Sequence, residues 1–156
     1  MKNFDYAFQI VAGPKVEGGL SMDPKDKGNW TGGEVGKGTL KGSNHGISAA
    51  RYPDEDIANL TMDRVKFLYQ RDYWQPHKLD TVEWGKALII FDSAVNGGLI
   101  EKWITLHARK MLEQFVVDWQ SDHMNYLSNL PQWEHDKPGW IKRAFFITTQ
   151  ALRTPT

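Results

Sequence analysis

Residues 99–130 read LIEKWITLHARKMLEQFVVDWQSDHMNYLSNL, and their periodicity decides the class of fold. Trp103, Leu106, Met111, Leu112, Phe115, Val116, Trp119, Met124 and Leu127 supply one apolar face at helical spacing. Pro131 closes the run, because it can neither donate nor continue the ladder. One long helix or two consecutive helices are expected here. Towards the C-terminus, a last helix is expected from about Gly139 to Leu152, carrying Trp140, Ile141, Ala144, Phe145 and Ile147. Most of its apolar surface is expected in the core. Towards the N-terminus, Ala87, Leu88, Phe91, Ala94 and Val95 mark a helix from Val82 to Asn96 that Gly97-Gly98 ends. Before it, Thr61 is suited to cap a helix bearing Val65, Leu68 and Tyr69, which runs to Tyr73-Trp74 ahead of Pro76. Phe4, Ala7, Phe8 and Val11 mark a first helix stopped by Gly13-Pro14.

The exception is the stretch from Glu17 to Gly46, which holds most of the 14 glycines and no sustained period. It reads as loops with a short hairpin. An irregular segment this long inside a compact domain is usually either functional or disordered, and its punctuation by Trp30, Leu40 and Ile47 argues for function. The expectation is a mainly α chain with one glycine-rich insertion after the first helix.

Bulk properties remove several classes of function. With 19 basic and 19 acidic residues the formal charge is zero, so no global field draws the chain onto nucleic acid. There is no cysteine, which excludes a disulfide framework, a thiolate metal site and a cysteine nucleophile. The five histidines, His45, His77, His107, His123 and His135, lack the spacing of a helical zinc pair, so a metal-dependent peptidase is disfavoured and no cofactor is expected. Gly36 to Gly42 superficially resembles a phosphate loop but lacks the Lys-Ser/Thr ending. No stretch approaches the roughly 20 apolar residues that cross a bilayer. The N-terminal residues lack a signal-peptide pattern, so synthesis in a cytosol is expected, as is a monomer.

Hydrolysis of a glycosidic bond needs a proton donor and usually a second carboxylate. Glu17 stands at the end of the first helix, where partial burial would favour its protonated form. Gly18 and Gly19 follow and allow close approach of a sugar ring. Asp26 lies in the turn-rich string SMDPKDKG, where a solvated carboxylate stays ionised.

Four strings in order, EGGLSMDPKDKG (17–28), GSNHGIS (42–48), YQRDYW (69–74) and FDSAVNGG (91–98), resemble the glycoside hydrolase family 108 muramidases, many of them phage endolysins. The resemblance implies a lysozyme-like single domain, with residues 1–98 as the catalytic portion and 99–156 as a helical peptidoglycan-binding portion packed on it. It places the catalytic glutamate on Glu17 and the Asp-Pro-x-Asp turn on Asp23, Pro24 and Asp26. Ser43 falls where phage-type lysozymes carry a catalytic threonine. Leu20 and His45 stand where the family carries aromatic residues. The insertion between Asp26 and Ser43 makes Glu34 a rival second carboxylate.

The implied activity is cleavage between N-acetylmuramic acid and N-acetylglucosamine in bacterial peptidoglycan. Gly18, Gly19, His45, Tyr73, Trp74 and Asn96 are the candidate substrate contacts. Tyr73 and Trp74 could instead pack a helix end, and Asn96 could cap its helix. Arg71 and Asp72 are expected to form a surface pair, and Asp92 to be structural. Two rivals remain, a lytic transglycosylase that needs one acid and a non-catalytic wall-binding or secretion-helper protein. The endolysin analogy implies synthesis in the host cytoplasm and action on the wall in the periplasm after holin-type release. A basic, aromatic last helix with Lys142, Arg143 and Arg153 also suits an anionic outer-membrane surface.

Overall fold

The structure, a computed structural model, describes residues 3–13 and 18–153. Among these it contains six α-helices and one two-stranded sheet: α1 (Asn3–Val11), β1 (Ser43–Asn44), β2 (Ile47–Ser48), α2 (Met62–Tyr69), α3 (Trp84–Asn96), α4 (Ile100–His107), α5 (Leu112–Ser128) and α6 (Trp133–Ala151). The chain is mainly helical, as its periodicity requires. It divides into two compact units, residues 1–72 and 73–156.

In the first unit, α1 buries Phe4, Ala7, Phe8 and Val11, the stripe expected from its spacing. Phe8 meets Tyr69 of α2 edge to face at 5.5 Å, and Lys66 pairs with Asp5 at 2.6 Å. The Thr61 hydroxyl accepts from Arg64 N at 3.3 Å and caps α2. This helix widens into a π turn over Gln70–Trp74. The remainder of the unit is loop, with the expected hairpin at its centre: β1 and β2 are antiparallel, Ser43 opposite Ser48 and Asn44 opposite Ile47.

The second unit is built from α3 to α6. Periodicity left open whether residues 99–130 form one helix or two, and the structure has two. The chain turns extended at Met111 (φ −61°, ψ 156°). The Lys86 ammonium, reaching from α3, takes the freed carbonyls of Ala108 (3.3 Å) and Lys110 (2.7 Å). A local period cannot reveal this distant cap. Gly97 ends α3 with φ 91°, a backbone region costly for other residues. At Gly98 a Cβ would lie 2.6 Å from the Trp103 ring, so the second glycine makes room for an indole.

Trp119, completely buried, is the hub of this core. It stacks on Phe115 at 5.1 Å and meets Trp103 edge-on at 5.4 Å. Such pairs contribute about 0.5–1.5 kcal/mol beyond their burial. Its indole N–H donates to Ser93 Oγ at 2.9 Å, and Ser93 meets His123 Nδ1 at 3.3 Å. Burial holds the His123 ring down at about 4, against a partial offset from the Gly97 carbonyl and with a further contribution from the Arg143 charge. Nearby, Arg143 Nε donates to the buried Asp92 at 2.8 Å and ties α6 to α3. Desolvation pushes the Asp92 carboxyl up even so.

Two expectations for the last helix need correction. It begins at Trp133, not near Gly139, and carries Pro138 inside it. The proline forfeits one backbone bond, while the Lys137–Glu134 pair and the adjacent rings of Trp133 and Trp140, 6.0 Å apart, span the same turns. Nor is the apolar surface mostly core. Ile147 and Ala151 are buried, but Phe145 is 73 % exposed and Phe146 48 %. No helix among the described residues is long and apolar enough to cross a membrane.

Candidate active site

The loop from Gly18 to Ala50 is organised by polar bonds. Asp26 precedes a single 3-10 turn, Lys27–Asn29, and its Oδ1 accepts from Gly28 N at 2.8 Å. Asp23 does the same for Lys25 N at 2.9 Å. The two aspartates of SMDPKDKG therefore shape successive turns, as short polar side chains do. Asn29 is the buried pin of this segment. Its amide donates to the Asp23 carbonyl at 3.0 Å, and its own carbonyl accepts from Lys41 N and Gly42 N, both at 3.0 Å.

A backbone ladder then brings the candidate residues together. Ser21 and Ser43 exchange both backbone bonds at 2.8 and 2.9 Å, and Ser43 pairs with Ser48 across the hairpin. Ala50 N donates to the Gly28 carbonyl at 3.0 Å, fastening the Asp26 turn to the strand end. A Cβ on Gly28 would lie 3.2 Å from Asp26 Oδ1 and 3.8 Å from Ser48 Cβ. Asp26, Ser43 and Ser48 thus belong to one small folded surface. The Asp26 carboxylate is exposed and Ser43 is half-buried.

His45 and Gly46 form the hairpin tip, with φ 51° and 76°. A two-residue hairpin turn demands such left-handed backbone and favours Asn, Asp or Gly. The tip is clamped from both sides. His45 N donates to the Gly18 carbonyl at 3.0 Å, and the Tyr69 hydroxyl donates to the His45 carbonyl at 3.4 Å. Among the described residues its Nδ1 is buried without a partner. Gly18 and Gly19 are exposed, and among the described residues a Cβ at either would meet nothing within 4 Å. Leu20 (48 %) and Met22 (44 %) expose apolar surface just downstream.

Glu17 lies outside the described residues. Its rival partner Glu34 sits beyond the bridge that joins Trp30 to Leu40 and pairs with Lys37 at 2.7 Å, both side chains largely exposed. Arg71 and Asp72 form the expected pair, at 2.6 and 2.8 Å, and the Tyr52 hydroxyl donates to the same carboxylate at 2.8 Å. The Arg71 hydrogen bonds, with help from Tyr52 and against desolvation, hold Asp72 below its usual range.

Tyr73, Trp74 and Asn96 belong to the second unit. Trp74 is completely buried, edge-on to Phe91 at 5.4 Å. No face of it is open to a sugar, so packing is the role its position supports. Asn96 folds its amide back onto Asp92, 2.8 Å from the carbonyl and 3.3 Å from Oδ1. Asn29 and Tyr52 carry no motif signal, because their roles rest on bonds to residues far along the chain.

Residues 13–98, 86 of the 156, match the family profile described as Glycosyl hydrolase 108, so the chain belongs to that family. It is a glycoside hydrolase, and peptidoglycan is the substrate class that membership implies. No curated protein and no solved structure matches the chain.

Proposed function

We propose that the chain is an N-acetylmuramidase of endolysin type, cutting the bond between N-acetylmuramic acid and N-acetylglucosamine. Glu17 donates a proton to the leaving glycosidic oxygen, and the sugar C1–O bond breaks with positive charge developing on the ring. The Asp26 carboxylate stabilises that charge, and the Ser43 hydroxyl holds the water whose oxygen bonds to C1 as its proton passes to the Asp26 carboxylate. The observation that carries this reading is the ladder that gathers Asp26 and Ser43 into one surface clamped to Gly18, the residue after Glu17. Glu34 is the weaker second acid, since it is already paired with Lys37 beyond the Trp30–Leu40 bridge. The enzyme would be made in the host cytoplasm and reach the wall through a holin-type lesion.

Mass spectrometry of fragments released from purified peptidoglycan tests the proposal. Hydrolysed N-acetylmuramic acid ends are expected. Anhydro ends would make the chain a lytic transglycosylase, and intact glycan would make it a binder.

The exposure of Phe145 and Phe146 beside Lys142 favours a second property, affinity for an anionic outer-membrane surface. Arg143 is engaged with Asp92, which leaves Lys142 and Arg153 as the cations on offer. Replacing both by glutamine should lower killing of intact cells and leave digestion of purified peptidoglycan unchanged. Equal loss in both assays would remove the membrane role.

A further inference from the structure

The second unit contains a cleft of about 280 Å³ that the glycosidase reading does not use, between the chain preceding α3, the start of α3, and helices α4 and α5. Ile90, Ile104 and Phe115 line its apolar part, and His77, Glu83 and Lys86 contribute its polar groups. The combination of an apolar wall with a few convergent polar groups is that of a small-molecule site.

The polar groups are fixed and complementary. His77, with its side chain 13 % exposed, holds Nδ1 3.0 Å from the Glu101 carboxylate. In the neutral tautomer that donates Nδ1–H to that carboxylate, Nε2 is an acceptor. Lys86, 15 % exposed, gives two N–H groups to the carbonyls of Ala108 and Lys110, and its ammonium lies 5.6 Å from the centre of the Phe115 ring. An ammonium has three donors, and Glu83 forms an ion pair with it at 3.6 Å, beyond hydrogen-bond length. The third N–H is left to an incoming oxygen beside that carboxylate. Next to His77 in the chain, Lys78 adopts a left-handed backbone (φ 51°). Left-handed non-glycine residues cluster at ligand sites.

We propose that this cleft binds a zwitterionic α-amino-acid group on a small apolar body. The ligand carboxylate accepts from Lys86, its ammonium donates to His77 Nε2 and faces Glu83, and its aliphatic portion lies on Ile90, Ile104 and Phe115. Two sources offer that chemistry, the diamino-acid end of a peptidoglycan peptide stem and a free amino acid. Assignment to the stem rests on the peptidoglycan reading above, whereas the binding chemistry does not. The site would let the second unit read the peptide while the first acts on the glycan.

The test is nuclear magnetic resonance titration of the full chain, following the methyl signals of Ile90 and Ile104. The probes are a synthetic stem peptide ending in meso-diaminopimelate, the same peptide with its terminal amine and carboxyl groups blocked, free meso-diaminopimelate and free alanine. Saturable shifts with the open peptide and none with the blocked one are expected. His77→Phe should weaken binding at least tenfold. Lys86→Met removes a helix cap as well as a donor, so Ile104→Trp, which fills the cleft from its apolar side, is the companion variant and should also abolish binding. Tighter binding of the stem peptide than of either free amino acid assigns the site to peptidoglycan, and equal binding assigns it to free amino acids. No saturable shift with any probe, or shifts that survive both His77→Phe and Ile104→Trp, would overturn the proposal. Glycan cleavage measured on peptidoglycan strands stripped of their peptides should be unchanged in these variants, which separates failure of this site from failure of the glycosidase reading.

Discussion

The loop between Gly18 and Ala50 and the bundle of α3 to α6 are held by different physics. The loop keeps its shape through turn-forming aspartates, a buried asparagine and backbone bonds between distant residues, with Asn29, Asn44, Ile47 and Ala49 among its few buried side chains. The bundle rests on large apolar side chains, with Trp119, Phe91, Phe115, Leu88 and Ile89 fully buried. Apolar burial is non-directional and follows area, whereas hydrogen bonds fix geometry. A surface that must place a carboxylate and a hydroxyl suits the second means, and a bundle of amphipathic helices suits the first. Substitutions in the loop should therefore act on catalysis with little change in stability, and substitutions in the bundle the reverse.

The largest departure should come from Glu17→Gln, which keeps the side-chain volume but cannot donate a proton. Wall lysis should fall by about 10²–10⁴-fold, the range general acids supply, with helical circular dichroism unchanged. Asp26→Asn should cost less, and Glu34→Gln little. Greater damage from Glu34→Gln in the same turbidity assay would exchange the two roles.

The bundle offers the opposite experiment at Gly85, where a Cβ would lie 2.5 Å from the Ala151 carbonyl and 2.8 Å from Leu112. Gly85→Ala should destabilise by about 1–3 kcal/mol, as overpacking does, while activity per folded molecule stays near wild type. Urea unfolding with an unchanged midpoint would show that α3 can give way there.

A smaller effect in the same unit depends on pH. His123 is held neutral in the fold down to about 4, against an ordinary value of 6.5. Between those values the unfolded chain binds a proton that the folded chain refuses, so stability is present above 6.5 and lost as pH falls towards 4. Asp92, pushed up by burial, acts with the opposite sign. His123→Gln should flatten the fall in urea midpoint between pH 7 and pH 5. An identical slope in the variant would place the proton elsewhere.

The smallest effect should sharpen the contrast at His45, which has both a left-handed backbone and a buried nitrogen with no partner among the described residues. Left-handed backbone alone costs roughly 1–2 kcal/mol for an ordinary residue. His45→Gly should raise the melting temperature by a few degrees and lower the rate of wall lysis. A drop in both would make the imidazole structural.

The same division explains what could be read from the sequence. Helical periods gave α1 to α3 to within a few residues, together with the Thr61 cap and the Gly97 stop, because each depends on neighbours in the chain. The break at Met111 depends on Lys86, and the early start of α6 on ring contacts around Pro138, so neither leaves a local trace. At the site, the turn chemistry of Asp23 and Asp26 was legible, and the four family strings pointed to the right family. The hub role of Asn29 was not legible, since it arises from Asp23, Lys41 and Gly42 meeting it in space. The burial of Trp74 was also hidden, because a tryptophan at a helix end looks the same in sequence whether it packs or stacks on a ligand.

One rung of the loop has a use of its own. Trp30 pairs with Leu40, and Thr31 N donates to the Thr39 carbonyl at 3.0 Å, so residues 32–38 leave and return at one place. A closed base makes added length cheap, since closure entropy grows only with the logarithm of loop size. Exposed tips of this kind are where chains accept foreign sequence. The segment is thus a natural docking port for engineering: a peptide tag or a targeting domain spliced between Gly33 and Gly36 would be carried outside the rung, with Asp26, Asn29 and Ser43 undisturbed on its inner side.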